Sequence, residues 1–185
     1  SGATIHANRC NTINELNTAQ ANATTAFPIA NLSLTNPEGG CDAPDDADAM
    51  LATFAQNRPR DLAAGRALHG PHRSDLGALF TEKGVQAKDC STGEQKALLI
   101  SVILANARAL TRDFGAPPIL LLDEVAAHLD ANRRAALYDE ICTLGAQAWM
   151  TGTGPELFAE LGARAQYVEV GDVAGESTIT QRTEP

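Results

Sequence analysis

The chain has 185 residues, 44% of them hydrophobic and 20% charged, which predicts a folded globular protein and argues against wholesale disorder. Its formal net charge of −9 is unfavourable for a surface that binds nucleic-acid phosphates unaided, since such surfaces are usually basic. The four cysteines lack paired Cys-x-x-Cys spacing, and neither a membrane-spanning apolar run nor a leader peptide is present, so we expect a cytoplasmic protein without a zinc site, a disulfide framework or a membrane span.

The first third of the chain predicts a helix, a strand and a second helix. Residues 3–22 carry a thin apolar face at helical spacing, and residues 30–34 alternate between apolar and polar side chains as a half-buried strand does. The Pro- and Gly-rich stretch 36–44 predicts a connector. The acids at 45, 46 and 48 suit the start of the second helix, where carboxylates are favoured, and we expect Pro59 to stop or kink that helix.

From residue 70 onward, a hairpin precedes alternating helices and strands. The hairpin has a strand over 76–80, a tip at 82–84 and a return through Val85 and Ala87. The later elements are, in chain order, a mostly apolar helix through 97–105, a strand at 119–122, a helix over 131–144 that ends at Gly145, a strand at 147–151, a short helix from Pro155, and closing strands at 165–170 and 177–181. This alternation implies a largely parallel sheet covered by helices, and therefore an α/β fold.

Residues 119–124 predict a buried strand that ends in two carboxylates. A parallel strand buried on both faces is continuously apolar, and ligands bind beyond the carboxyl ends of such strands. Asp123 suits Mg²⁺, which takes oxygen ligands and keeps water and substrate phosphates in its shell, and Glu124 could polarise a water for attack on a γ-phosphate. The alternative interpretation is a buried strand that happens to end in two solvated acids.

Residues 91–96 predict the start of a helix. Ser91 and Glu94 have the Ser-x-x-Glu spacing of a capping box, which is already a complete structural explanation. The functional interpretation adds that an exposed helix start presents free N–H groups and the positive end of the helix dipole to an anion. Gly93 would then permit the close approach of a phosphate.

These segments occur in the order found in ABC-type ATPases: a capped Ser-x-Gly helix start, a buried helix, and an apolar strand ending in Asp-Glu. Residues 126–130 lie where that class has its D-loop, which crosses the dimer interface. More narrowly, four segments resemble the RecF family of bacterial DNA replication and repair proteins: GPHRSDL at 70–76, STGEQK at 91–96, LLLDEVAAHLD at 120–130 and WMTGT at 149–153. The resemblance implies the C-terminal part of an ABC-type ATPase head over 65–185, with a mostly parallel sheet and flanking helices, and a remnant of a helical arm region over 1–64.

The resemblance also implies roles for three groups of residues. At the strand end, Asp123 would hold Mg²⁺ and Glu124 would be the catalytic base. The γ-phosphate of ATP held by the opposite subunit would be recognised by Ser91, Gly93 and Gln95. The D-loop interface would include His128 and Asp130, although a histidine beside a helix start is more often hydrogen-bonded locally.

Two departures from the ABC pattern matter. ABC transporters have a switch histidine after the strand that follows the D-loop, whereas this chain has threonines, which leaves Thr151 or Thr153 as a polar sensor of the γ-phosphate. In addition, no Gly-x-x-x-x-Gly-Lys-Ser/Thr loop occurs, so the backbone N–H groups and the lysine for the β- and γ-phosphates are missing. In this family that loop lies near the N-terminus. We therefore interpret the chain as a fragment that hydrolyses nothing alone.

For the intact protein, the resemblance implies an ATP- and Mg²⁺-dependent homodimer that acts at DNA gaps or single-strand/double-strand junctions. It would cooperate with RecO and RecR type proteins in recombinational repair and replication restart. One alternative is the head of another SMC or Rad50 type ATPase, against which the lack of sustained heptads argues. The other is a non-catalytic protein-interaction module, which would need neither Asp123 nor Glu124.

Overall fold

The computed structural model describes residues 2–36, 46–173 and 175–182. The helices and strands within these ranges are α1 (Gly2–Ala21), β1 (Ala30–Thr35), α2 (Ala47–Ala64), β2 (Asp75–Phe80), β3 (Val85–Gln86), α3 (Thr92–Phe114), β4 (Leu120–Leu122), α4 (Ala131–Leu144), β5 (Ala148–Met150), β6 (Tyr167–Val173) and β7 (Glu176–Arg182). The predicted α/β fold class is confirmed. Across the described ranges, none of the helices combines the length and the apolar character needed to cross a membrane.

The chain divides into two compact units, residues 1–24 with 28–109 and residues 25–27 with 110–185. The first unit contains an antiparallel sheet in the order β1-β2-β3, and the second contains the pairs β4-β5 and β6-β7. The domain boundary that we expect near residue 64 comes from the family resemblance and not from this division into compact units. It therefore stays a prediction.

The core of the first unit lies between helices and the antiparallel sheet. It is formed by five buried apolar residues contributed by α1, β1, β2 and α3: Ile13, Ala30, Leu32, Phe80 and Leu98. The predicted hairpin is present, with Phe80 opposite Val85. Its return strand is shorter than predicted, because Ala87 begins a 3-10 turn (Ala87–Asp89) instead of continuing β3.

Side chains of α1 occupy the free edge of β1. The Asn17 side chain donates to the carbonyl of Leu32 and accepts from its N–H, both at 2.9 Å. One helical turn later, the buried Gln20 does the same for Ala30, at 2.8 and 2.9 Å, and its carbonyl also accepts from Ser101 at 3.2 Å. Alternate residues of a strand present their backbone groups to the same edge, so the two amides replace a neighbouring strand.

The second helix begins as predicted and continues beyond its internal proline. Asp46 caps α2 by accepting a hydrogen bond from the N–H of Ala49 at 2.9 Å; Asp45 and most of the predicted connector lie outside the described residues. Pro59 does not stop α2, which continues to Ala64. Proline removes one backbone hydrogen bond, and Pro59 is exposed, so the freed carbonyl one turn earlier can be hydrated.

The predicted capping box at the start of α3 is confirmed. The backbone N–H of Ser91 donates to the Glu94 carboxylate at 2.9 Å, and the N–H of Glu94 donates to the Ser91 hydroxyl at 3.4 Å. The Lys83 ammonium also donates to the Glu94 carboxylate. The hydrogen bond from Lys83, followed by those from Ser91, lowers the pKa of Glu94 from 4.5 to about 2.

In the second unit, α4 packs against a 3-10 segment, Pro155–Arg164. Arg134 of α4 makes two hydrogen bonds to the Glu160 carboxylate, at 2.9 and 3.1 Å, which lower the pKa of Glu160. The hydroxyl of the fully buried Tyr138 donates to the carbonyl of Leu157 at 2.6 Å, and burial raises the pKa of Tyr138 to about 12. The predicted parallel pairing is confirmed for β4 with β5, whereas β6 and β7 pair antiparallel with each other.

Replacing Gln20 by Leu should lower the free energy of unfolding by about 2–4 kcal/mol, because it leaves the buried N–H and carbonyl of Ala30 without partners. Urea denaturation of the chain measures this loss. The matched control is Asn14→Leu, at an exposed position of the same helix, which should change the free energy of unfolding by less than about 0.5 kcal/mol. Equal effects of the two substitutions would contradict the edge-capping role.

The Glu94 carboxyl should titrate near pH 2 when followed by NMR. Because its pKa in the folded chain is depressed, its contribution to capping is present above pH 4.5 and is lost as the pH falls towards 2. Lys83→Met removes the largest cause of the shift and should move the midpoint up towards 4.5. A midpoint near 4.5 in the unsubstituted chain would contradict the ion pair.

Candidate nucleotide-binding site

The carboxyl ends of β4 and β5 lie side by side, because the two strands are parallel and Leu122 is opposite Met150. Asp123 and Glu124 follow β4, Thr151 follows β5, and all three residues are exposed. The N–H of Thr151 donates to the carbonyl of Leu122 at 3.1 Å, which extends the pairing of the strands by one bond. The structure therefore brings together the residues predicted at the two strand ends.

Strand β4 is buried on one face only, which corrects the expectation of burial on both faces. Leu120 and Leu122 are buried, whereas Leu121 is 78% exposed and its neighbour across the pair, Trp149, is 61% exposed. Within the described part of the second unit, no element covers the face that Leu121 and Trp149 share. The continuous apolar pattern therefore predicted the positions of the strands correctly, but it overestimated how much of them is buried.

The hydroxyl of Thr151 connects the two acidic residues. It donates to a carboxylate oxygen of Asp123 at 2.5 Å and accepts from the backbone N–H of Glu124 at 3.0 Å. One side chain, directly after β5, therefore fixes both the Asp123 side chain and the Glu124 backbone.

Glu124 has a left-handed backbone conformation, with φ 48° and ψ 24°. No other non-glycine residue in the described ranges has a positive φ. For a residue with a Cβ this conformation costs about 1–2 kcal/mol, and such strain is concentrated at functional sites. After Glu124 the chain forms the 3-10 turn Val125–His128. Glu124 is therefore the residue at which the chain leaves the direction of β4.

The side chains at the end of β4 suit a Mg²⁺ site in which a substrate supplies some of the ligands of the ion. Asp123 is exposed, and only one of its carboxylate oxygens is engaged by Thr151. The described residues contain no cluster of three or more His, Cys, Asp or Glu side chains that could enclose a metal. Mg²⁺ usually takes one or two protein carboxylates and completes its shell with water and phosphate oxygens, so the residues present fit this ion.

The start of α3 is a second exposed group of candidate residues, in the other compact unit. Ser91 is exposed, and the first two residues of the helix, Thr92 and Gly93, have no intrahelical acceptor for their N–H groups. A Cβ at Gly93 would meet no atom within 4 Å. Packing within the described residues therefore does not explain why this position is a glycine.

Two further predicted residues have local structural roles. The Gln95 side chain donates to the carbonyl of Ala87 at 2.9 Å, which ties α3 to the preceding 3-10 turn. Asp130 caps α4 by accepting from the N–H of Arg133 at 2.9 Å. His128 ends its 3-10 turn, and its side chain lies outside the described part of the structure. Interface and γ-phosphate roles for these residues stay predictions.

Sequence reasoning missed the contribution of Lys83, and it missed how Thr151 acts. The sequence predicts only that Lys83 lies at a hairpin tip, because its contact with Glu94 depends on the path of the chain between them. The link from Thr151 to Asp123 spans 28 residues and depends on the register of β4 and β5. The sequence gives a signal only for the strand ends themselves.

Comparisons with known proteins identify the family of the chain. It is 54% identical over 149 residues to the DNA replication and repair protein RecF of Allorhizobium ampelinum, a match that covers 79% of this chain and 40% of that protein. RecF of Rhizobium meliloti is 51% identical over 154 residues (80% of this chain, 41% of that protein), and RecF of Caulobacter sp. is 51% identical over 153 residues (80% and 39%). No family model matches the chain.

Two solved structures of the recombination mediator protein RecF in the RecFOR pathway, one as RecF-ATP and one as RecF-ATPrS, have the same fold. Each superposes with a TM-score of 0.59 at 23% identity and covers 83% of this chain and 42% of the solved chain. The chain thus spans about 40% of the length of the curated relatives that it matches. On the strength of these sequence matches, the chain belongs to the RecF family of DNA replication and repair proteins.

Proposed function

We propose that this chain is part of a RecF-type ATPase that acts in DNA repair and replication. It would supply the metal-holding carboxylate and the general base of one nucleotide site, and the helix start that recognises the γ-phosphate in a second site across a homodimer. The observation that carries the proposal is the exposed Asp123-Glu124 pair at the carboxyl end of a parallel strand, where ligands bind in α/β folds.

In the proposed reaction, Asp123 holds Mg²⁺, which neutralises charge on the phosphate oxygens when it is bound. Glu124 orients the attacking water and accepts its proton, a role that suits an exposed carboxylate on a fixed backbone. The sequence contains no phosphate-binding loop with the Gly-Lys-Ser/Thr ending. We therefore expect the 185-residue chain alone to be inactive towards ATP.

Across the dimer, Ser91, Gly93 and Gln95 would face the γ-phosphate of ATP bound by the other subunit. Two observations support this role. The start of α3 is exposed and its first N–H groups have no intrahelical acceptors, and the space beside Gly93 is unfilled. The D-loop residues His128 and Asp130 would lie at the same interface. The capping bonds of Ser91 and Asp130 are compatible with this role, because a capping side chain leaves other N–H groups of the first turn free.

The whole protein would act at gapped DNA or at single-strand/double-strand junctions together with RecO and RecR type proteins. The RecF structures that share this fold are described as belonging to the RecFOR pathway, which supports these partners. With a net charge of −9, this segment is a poor candidate for the main DNA-contacting surface. We propose that this surface is a local basic patch or belongs to the part of the family's length that the chain does not match.

The base is tested in a chimera in which this chain replaces the matching segment of Allorhizobium ampelinum RecF. Glu124→Gln keeps the shape of the side chain but cannot accept a proton, so kcat for ATP hydrolysis should fall by about 10²–10⁴-fold. Binding of ATP and ATP-dependent dimerisation should persist. The 185-residue chain alone serves as the background control. Hydrolysis at the unsubstituted rate in the Glu124→Gln chimera would show that another group is the base.

Gly93→Ala separates the structural role of the helix start from the binding role. The added methyl group meets open space and improves helix propensity, so the free energy of unfolding should stay equal or rise by about 0.5–1 kcal/mol. ATP-dependent dimerisation of the chimera should nevertheless weaken at least about tenfold, because the methyl group occupies the space of a phosphate oxygen. Sedimentation analysis with and without ATP measures the effect. Undiminished dimerisation would argue against phosphate recognition at Gly93.

A further inference from the structure

We infer that Thr151 is a positioning residue for ATP hydrolysis, which acts through Asp123 and Glu124 rather than as a direct ligand of the γ-phosphate. The inference rests on the proposed function and assigns the mode of action of one residue of that site. Its basis is the pair of hydrogen bonds by which the Thr151 hydroxyl joins the ends of the two strands.

The hydroxyl has a single proton, and that proton is already used. It is donated to a carboxylate oxygen of Asp123 at 2.5 Å, while an oxygen lone pair accepts the N–H of Glu124 at 3.0 Å. A γ-phosphate oxygen needs a donor, and the Thr151 hydroxyl has no second proton to offer it. A direct sensor of the γ-phosphate would have to give up the bond to Asp123 first.

The bond to Asp123 selects one orientation of the carboxylate. Since only one of its oxygens is engaged by Thr151, the other oxygen is left for Mg²⁺. The hydroxyl itself is well anchored, because the backbone N–H of Thr151 is bonded to the carbonyl of Leu122 and threonine has a restricted χ1. The orientation of Asp123 is therefore set by the register of the two strands.

The bond to Glu124 stabilises a strained backbone. The N–H of Glu124 lies beyond the last paired residue of β4, where the chain takes up a left-handed conformation. Without the Thr151 oxygen, this N–H would lose its partner in the protein and the conformation would lose its support. Because the backbone sets where the Glu124 side chain begins, Thr151 also determines where the base can place its carboxylate.

The test compares Thr151→Val, which keeps the shape but loses both hydrogen bonds, with Thr151→Ser, which keeps both. In the Allorhizobium chimera, Thr151→Val should lower kcat by about 10–100-fold and raise the Mg²⁺ concentration for half-maximal rate, with KM for ATP changed by less than about threefold. Thr151→Ser should stay within about threefold of the unsubstituted chimera. Thr143→Val, at an exposed threonine of α4, is the matched control and should change none of these values.

A second measurement does not depend on hydrolysis. In the 185-residue chain, amide hydrogen exchange of Glu124 should become about tenfold faster in Thr151→Val and stay within about threefold in Thr151→Ser and Thr143→Val. Unchanged hydrogen exchange of Glu124 in Thr151→Val would contradict the inference that the Thr151 hydroxyl holds the Glu124 backbone. In the chimera, a large rise in KM for ATP at constant kcat would overturn the inference in favour of direct contact with the nucleotide. An unsubstituted chimera that does not hydrolyse ATP would instead overturn the proposed function. Hydrogen exchange of Glu124 does not depend on hydrolysis, so it distinguishes failure of the proposed function from failure of the inference about Thr151.

Discussion

Parallel pairing of β4 with β5 is the constraint on which the candidate site depends. Parallel strands end at the same edge of a sheet, so Asp123 and Thr151, 28 residues apart in the chain, become hydrogen-bonded neighbours. Each strand has only three residues, and the bond from Thr151 to the carbonyl of Leu122 lengthens their pairing at the functional end. A change of register by one residue would turn Asp123 and Thr151 to different faces and separate them.

The residues of the candidate site differ in how far local structure explains them. Ser91 and Asp130 cap helices and Gln95 ties α3 to a turn, so stability alone would account for their presence. Glu124 and Gly93 have no such explanation, since Glu124 has a strained backbone and nothing packs against the position of Gly93. Sites where local preference is violated without a gain in packing are where function is expected, which is why the proposed chemistry falls on these residues.

The sequence predicted the features that depend on near neighbours. The capping box at Ser91 and the glycine that ends α4 at Gly145 follow from spacings within one helical turn, and both are present. The sequence predicts that Pro59 stops or kinks α2. The helix does not stop there, because Pro59 is exposed and water can compensate for the lost backbone hydrogen bond. Features that depend on distant parts of the chain were not predictable. Gln20 looks like a solvated helix residue until the edge of β1 is placed beside it.

The most direct test of the central claim uses Mn²⁺-ATP bound to the Allorhizobium chimera, because Mn²⁺ broadens the NMR signals of residues near the metal. If the joined ends of β4 and β5 hold the metal end of the nucleotide, the amide signals of Asp123, Glu124 and Thr151 should broaden selectively, and Asp123→Asn should remove the effect. Selective broadening at other residues, with these three signals unchanged, would contradict the assignment of the site.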